Sequence, residues 1–412
     1  MNIYQNTQNQ ILQTFEYIKD KYSKQDIEKF LYPDRVIKVN IPVKMDNGEV
    51  KVFTWYRTQH DNTRGHYKWW IRFHPEVTEE ETNALAIWMT IKTAITWIPL
   101  GWGKWWIQVN PKELSKNEKT KLARWYVQKI WHNIGEEKDS PAPDINTDSS
   151  TMAAMQDEYN KLTGWNYLGT FTWKPTSFGG SQWRQTATSH WWFYVLKRYL
   201  NYENKDLKQK KVIIQWAWNA ALWVVKSLKA YWAKIVWISD SQWGIYNEKG
   251  IDIDEIINLK SFWESVIKIQ DYTQTTNQEL IEKPCDILIL AAMENQITKE
   301  NANNIQSDYI LELANWPVDG DADKILSQKN IIVLPDVVSN SWGVIVSYFE
   351  QVQNKTNFYR TYNEVSEKLE DFITSALDNV IETSKYYQTN LRNWSYILAL
   401  EKLIQAQKSQ NQ

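Results

Sequence analysis

The chain has 412 residues, enough for two domains with separate cores, and its 43% hydrophobic and 23% charged residues are ordinary for a soluble globular protein. A formal net charge of −2 gives no electrostatic reason to expect a nucleic-acid or membrane partner, and no apolar stretch reaches the roughly 18 residues needed to cross a bilayer. One cysteine, Cys285, excludes an internal disulfide framework, and the polar N-terminus lacks the layout of a signal peptide, so a cytoplasmic location is expected.

Taken in chain order, Ile11, Leu12, Phe15 and Ile18 have the spacing of a helix over residues 11 to 30. The period then changes. Val36, Ile37, Val39, Ile41 and Val43 read as a strand, and the turn Asp46-Asn47-Gly48 makes it a hairpin with Val50-Lys51-Val52-Phe53. Thr78, with Glu81 three residues on, predicts a capped helix running through Lys92. Another helix begins near Ser115 and precedes a loop rich in Pro and Asp, Ser140 to Asp148. From about residue 186 strand and helix alternate, with strands at 211–215, 234–238, 286–290, 308–313 and 331–334, which predicts a doubly wound parallel sheet. Cys285 opens one of these apolar runs and reads as a buried strand thiol. An amphipathic helical segment, about 365 to 408, closes the chain.

One count is abnormal. There are 25 Trp and 13 Gly, whereas glycine usually makes about 7% of a chain and outnumbers tryptophan several-fold. Trp69-Trp70, Trp105-Trp106 and Trp191-Trp192 are adjacent pairs, and Trp102 lies between Gly101 and Gly103. These segments read as loops that need positive φ or close backbone approach, which glycine supplies cheaply. The expectation is therefore that a UGA codon meaning glycine in the source has been translated as tryptophan. The alternative is a set of real indoles that pack a core or stack on sugars. Trp263 and Trp394 lie in helical contexts where either residue is unremarkable.

Read that way, Gln215-Trp216-Ala217-Trp218-Asn219-Ala220-Ala221, after the strand Val212-Ile213-Ile214, holds G-x-G-x-x-A, a dinucleotide-binding turn between strand and helix. Asp240 ends the next strand, where it can meet the ribose hydroxyls. Other stretches carry a resemblance to a known family. Lys68-Trp69-Trp70-Ile71-Arg72-Phe73-His74-Pro75 is similar to K-G-G-x-R-F-H-P of the glutamate dehydrogenase family, which includes the leucine, phenylalanine and valine enzymes. Met89-Thr90-Ile91-Lys92 resembles its M-T-x-K, Pro99 through Trp106 its P-x-G-G-G-K-G-G, and Pro141 through Thr147 its P-A-P-D-x-N-T. Trp173-Lys174-Pro175, Gly179-Gly180-Ser181 and Ser347-Tyr348-Phe349-Glu350 also fit, so the resemblance runs from about Trp55 to Leu400.

The resemblance implies an α/β fold of two domains. A substrate and oligomerisation domain covers 1–185, a Rossmann-type dinucleotide domain 186–364, and C-terminal helices, 365–412, pack back on the first. It implies reversible oxidative deamination of L-glutamate to 2-oxoglutarate and ammonia, with NAD as cofactor and NADP possible, in a homo-hexamer. Lys104 matches the catalytic lysine that activates water, and Asp144 the residue that moves protons at the substrate nitrogen. Lys92 matches the holder of the α-carboxylate, Met89 lies in the same motif, and Lys68 with Ser347 match the pair that binds the side-chain carboxylate. For the cofactor the matching positions are Arg184, Thr188, Trp216, Ala217, Trp218, Asn219, Ala220, Asp240, Asn295, Asn315 and Asn340. The family's E-A-T-G is replaced here by Thr186-Ala187-Thr188-Ser189. Asp240 favours NAD because a carboxylate repels a 2′-phosphate, while Ser239-Asp240-Ser241 resembles members that accept both cofactors. The five histidines show no metal-ligand spacing and no metal is expected. Two alternatives stay open: a dehydrogenase of another amino acid, and a non-catalytic binding protein with real tryptophans.

Overall fold

The structure, a computed structural model, describes residues 3–182, 187–215, 220–240, 243–261, 264–269 and 271–410. It divides into two compact units, one of 1–184, 344–367 and 396–412 and the other of 185–343 and 368–395. The C-terminal segment therefore differs from the expectation that 365–412 joins the first domain whole. Residues 368–395 belong to the second unit, where Asp378 receives both arms of Arg198 and Arg392 is buried against Glu312.

In the first unit the chain forms α1 (Ile3–Phe15), α2 (Lys24–Glu28), β1 (Arg35–Lys44), β2 (Val50–Asp61) and β3 (Tyr67–His74). It continues as α3 (Glu79–Ile95), β4 (Gly101–Gln108), α4 (Lys116–Ile130), β5 (Asp139–Pro143) and α5 (Ser149–Thr163). The predicted helix over 11 to 30 is thus shorter and starts earlier. Thr78 caps α3 as expected, its hydroxyl accepting the Glu81 N–H at 3.2 Å, and Ser115 opens α4 in a full capping box. The strands make one sheet, ordered β1-β2-β4-β3-β5, with β3 parallel to β4 and β5.

Two loops expected from sequence are strands of this sheet. Gly101–Gln108, which carries Lys104, is the central strand β4, and the Pro-rich Asp139–Pro143 is an edge strand. Apart from Ile107, neither has the β-branched residues that mark strands in a sequence. Trp69, Trp70, Trp102, Trp105 and Trp106 accordingly stand in strands, so positive φ is not what would call for glycine there. Space is. A Cβ on the neighbouring Gly101 would come within 2.2 Å of the Asp61 carbonyl oxygen, and one on Gly103 within 2.3 Å of that of Thr58.

Alternation along the strands gives the sheet two faces. One buries Trp55, Trp69, Ile71, Phe73, Trp105 and Ile107 against Leu122 and Tyr126 of α4 and Met152 and Met155 of α5. Trp69 stacks on Trp105 at 4.1 Å and Trp55 on Tyr126 at 3.6 Å. Yet the buried indole N–H groups of Trp55, Trp69 and Trp105, like those of Trp70, Trp102 and Trp106, have no acceptor among the described residues. A buried donor without a partner costs about 1–3 kcal/mol, which offsets the roughly 1.5–3 kcal/mol gained by burying a large apolar side chain. For their volume these indoles contribute little net stability.

The second unit contains α6 (Ala187–Tyr202), β6 (Lys211–Gln215), α7 (Ala220–Ala230), β7 (Lys234–Ser239), β8 (Gly244–Tyr246), α8 (Ile253–Ser261) and β9 (Thr273–Thr275). There follow α9 (Asn277–Ile281), β10 (Cys285–Leu290), β11 (Ser307–Glu312), α10 (Gly320–Gln328), β12 (Ile332–Leu334) and α11 (Asp336–Ser339). The chain ends in α12 (Trp342–Thr356), which falls mostly in the first unit, then α13 (Tyr362–Tyr387) and α14 (Leu391–Gln410). The sheet order is β12-β11-β10-β6-β7-β8-β9. Strands β12, β11, β10, β6 and β7 are parallel, as predicted, while β8 and β9 add an antiparallel edge. The strand order reverses beside β6, and the carboxyl ends on either side of such a reversal are where open α/β sheets bind ligands.

Positive φ does occur at other tryptophans: Trp97 (60°), Trp173 (65°), Trp232 (56°) and Trp316 (53°). For a bulky residue this conformation is a genuine outlier. Trp232 ends α7 in the paired arrangement where Ala233 N–H donates to Leu228 O at 3.1 Å and Trp232 N–H to Lys229 O at 3.0 Å. Glycine is the usual residue there; at the matching ends of α6 and α10 the chain uses Asn204 and Asn330. Trp232 is 70% exposed and has little packing to lose. Trp232→Gly is expected to raise stability by about 1 kcal/mol, the strain of a left-handed non-glycine residue. Urea unfolding of the full chain measures this, and an unchanged or lower midpoint would contradict it.

Candidate active site

The second face of the five-stranded sheet carries the predicted catalytic groups. Lys68, Trp70 and Arg72 point there from β3, and Trp102, Lys104 and Trp106 from β4, because Lys68 pairs with Trp102 and Arg72 with Trp106 in register. Helix α3 is tied to β2 by Thr58, whose hydroxyl donates to Asn83 Oδ1 at 2.7 Å, and by His60, which lies 2.7 Å from the Thr90 hydroxyl.

Lys104 is 3% exposed, and its Nζ donates to Asp144 Oδ2 at 2.6 Å. Arg72 Nε donates to the same oxygen at 3.0 Å. Burial pushes the Lys104 ammonium down to about 8, with Asp144 opposing and Arg72 adding to the effect. Burial works against the charge on Asp144 too, but Arg72 and Lys104 outweigh it and hold the carboxyl well below the usual carboxylate range. The pair is therefore coupled: when Lys104 loses its proton, Asp144 loses one of the two cations that make it a poor base.

Lys68 is completely buried and donates to Ser140 O at 3.0 Å and to Thr172 Oγ1 at 2.7 Å. Both acceptors are neutral, and desolvation pushes its ammonium down to about 7, against the attraction of Glu350 and Asp139. Ser347, on α12, is also buried, and its hydroxyl accepts the indole N–H of Trp173 at 2.6 Å. Met89 and Lys92, three residues apart on α3, are both buried, with Lys92 in the last turn. All six predicted catalytic and substrate residues lie in the first unit.

The indoles stand among these groups. Lys104 Nζ is 5.8 Å from the centre of the Trp70 ring, Trp70 meets Trp102 edge-on at 5.7 Å, and Arg72 lies 4.8 Å from the Trp106 ring. Trp173 holds the hydroxyl that Ser347 would offer a ligand.

Of the predicted cofactor positions, Arg184, Thr188, Trp216, Ala217, Trp218, Asn219 and Ala220 lie outside the residues whose side chains are described. Asp240 follows β7 and is buried, with Oδ2 accepting from Lys260 Nζ and from Val266 N–H at 2.9 Å. That oxygen is already engaged, which the sequence did not foretell. Asn340 Nδ2 donates to Asn315 Oδ1 at 3.0 Å, and Asn295 N–H donates to Trp316 O at 3.0 Å. These three asparagines thus gather past the carboxyl ends of β10, β11 and β12.

Sequence reasoning gave no role to Arg72, Thr172, Lys174 or Glu350, although it quoted the motifs that hold three of them. The available signal was a charged residue inside an apolar motif: Lys174 and Glu350 form a buried ion pair of 3.0 Å.

Residues 33–161 match the family described as Glu/Leu/Phe/Val dehydrogenase, dimerisation domain, and residues 179–411 match Glutamate/Leucine/Phenylalanine/Valine dehydrogenase. The chain is 40% identical over 412 residues to the catabolic NAD-specific glutamate dehydrogenase RocG of Bacillus subtilis, covering 99% of this chain and 96% of the relative. It is 38% identical over 403 residues to an NAD-specific glutamate dehydrogenase of Staphylococcus aureus, covering 97% of each. The glutamate dehydrogenase of Peptoniphilus asaccharolyticus superposes with a TM-score of 0.87 at 34% identity, over 99% of both chains. The hetero-hexameric glutamate dehydrogenase of Thermus thermophilus does so with a TM-score of 0.89 at 28% identity, over 97% of both.

Proposed function

The chain belongs to the Glu/Leu/Phe/Val dehydrogenase family, and on that premise we propose that it is a glutamate dehydrogenase using NAD for the reversible oxidative deamination of L-glutamate to 2-oxoglutarate and ammonia. The observation that carries this reading is the 2.6 Å contact of Lys104 with Asp144 on the sheet face that also bears the buried Lys68. A dicarboxylate needs a cation for each carboxylate. Lys92 serves the α-carboxylate, while Lys68 with Ser347 serves the side chain. An apolar amino acid would have to desolvate the Lys68 ammonium and give it no partner, so glutamate is preferred to leucine, valine or phenylalanine.

After the hydride has left the α-carbon and made it part of an iminium, neutral Lys104 takes the proton of the water that adds there, and as the ammonium it steadies the resulting carbinolamine. Asp144 passes protons to and from the substrate nitrogen. Their direct hydrogen bond gives one proton a path between them.

The described residues fit a dinucleotide. The carboxyl edge of the parallel sheet offers Asn315 and Asn340 as amide partners for a hydroxyl-rich ligand, whereas the Asp240 carboxylate that the sequence assigned to the ribose is buried in its ion pair with Lys260. When bound, the oxidised nicotinamide supplies the acceptor for the hydride leaving the α-carbon. The names of the NAD-specific relatives support NAD over NADP. The hetero-hexameric description of the Thermus relative supports an assembly of six subunits, here taken as a homo-hexamer.

The test is glutamate-dependent formation of reduced nicotinamide. At saturating glutamate, kcat is expected to rise with pH and level off near 8. The base is the neutral amine of Lys104, whose fraction grows about tenfold per unit below that pH. Lys104→Met should remove this rise. A rise that survives the substitution would place the base elsewhere, and reduction with leucine in place of glutamate would favour the rival amino-acid dehydrogenase.

A further inference from the structure

Three buried charges cluster at the side-chain subsite: Lys68, Lys174 and Glu350. Glu350 binds the turn at 171–174 through three donors, accepting from Trp173 N–H at 2.8 Å, Lys174 N–H at 3.2 Å and Lys174 Nζ at 3.0 Å. That turn presents Thr172 Oγ1, which receives the Lys68 ammonium. Glu350 lies one turn beyond Ser347 on α12, so one helix face serves both the turn and the predicted ligand.

The other charged and titratable groups around Lys68 cancel or stay neutral. Asp139 is paired with Arg57, and burial, with Lys355 and Lys68 adding to it, pushes the His66 imidazolium down to about 4. Counting Lys68, Lys174 and Arg57 against Glu350 and Asp139 leaves one positive charge. One substrate carboxylate matches it, and a buried charge is tolerated only when matched.

We propose that Glu350 is a positioning and specificity-determining residue: by neutralising Lys174 and holding the 171–174 turn it leaves one uncompensated ammonium, on Lys68, for a single carboxylate. The inference rests on the reading that Lys68 binds the side-chain carboxylate. Loss of the Glu350 charge leaves two buried ammonium groups, which lower each other's proton affinity; loss of Lys174 leaves Lys68 already answered by Glu350.

The test uses calorimetric binding of glutarate, a dicarboxylate that cannot react, to protein carrying glycine at the tryptophan codons. Glu350→Gln should weaken binding about tenfold at pH 7 and move its alkaline fall-off down by about one unit, since one pKa unit is a tenfold change in protonation. Lys174→Met should also weaken binding but move the fall-off upward. The double variant Lys174→Met/Glu350→Gln, with one charge left on Lys68, should recover to within about threefold of the parent. A merely structural Glu350 would give no opposite shifts and no rescue, because the double variant restores none of the lost turn contacts. Parent-like binding by Glu350→Gln, or a double variant as weak as the single one, overturns the charge balance. A parent that binds glutarate in this pattern but forms no reduced nicotinamide from glutamate overturns the reaction and leaves the charge balance standing.

Discussion

Lys68→Leu is expected to lower kcat/KM for glutamate by about 10³-fold, because on the proposed assignment it leaves a substrate carboxylate buried without its cation, a loss of about 3–5 kcal/mol. The ammonium it removes is fully buried and, among the described residues, hydrogen-bonded only to neutral oxygens, Ser140 O and Thr172 Oγ1. The site therefore holds Lys68 at an expense that only an anionic ligand offsets. Leucine fills the same volume with methyl groups, so the variant gains activity on leucine and norvaline as it loses glutamate. A substrate panel on parent and variant reads both changes. A variant that keeps glutamate turnover within tenfold would remove Lys68 from the substrate site.

The chain translated literally, with indoles at 70, 102, 106 and 173, is expected to form no reduced nicotinamide from glutamate. Glycine at the tryptophan codons should bring turnover to the range of about 1–10³ s⁻¹ usual for enzymes. The reason is occupancy. Trp70 stands 5.8 Å from the Lys104 ammonium, Trp102 is in register with Lys68, and Trp173 holds the hydroxyl of Ser347. Each indole presents about 150–250 Å² of surface where the proposed site would seat a substrate, and glycine presents no side chain there. A steady-state assay of the two proteins side by side decides it. Full turnover by the literal chain would show that the indoles do not obstruct the site.

The second unit was legible in the sequence because its strands are short, buried and rich in Val, Ile and Leu. Cys285–Leu290 and Ser307–Glu312 lie within one residue of their predicted ends. The first unit was legible as motifs more than as structure. Its central strand, Gly101–Gln108, mixes glycine and lysine with tryptophan and a single β-branched residue, Ile107, a pattern that does not separate a strand from a loop. The motifs still named Lys104 and Asp144, which parallel strands β3, β4 and β5 bring together across 40 residues of chain. What the sequence hid was pairing. Arg72 shares the Asp144 carboxylate and Glu350 answers Lys174 across 176 residues, and such partners appear only when the fold sets them side by side. The argument for glycine also changed its ground. At Trp97, Trp173, Trp232 and Trp316 it rests on positive φ, but in β3 and β4 it rests on space and on indole N–H groups without acceptors among the described residues.

Peptide mass spectrometry of the protein purified from its own source, across Thr93 to Lys112, is the most direct measurement. That stretch holds Lys104 together with positions 97, 102, 105 and 106. Glycine at all four is the predicted result, leaving the catalytic face open around the lysine. Tryptophan at all four would mean that the face is filled in the native molecule, and catalysis at Lys104 would have to be abandoned for a binding role.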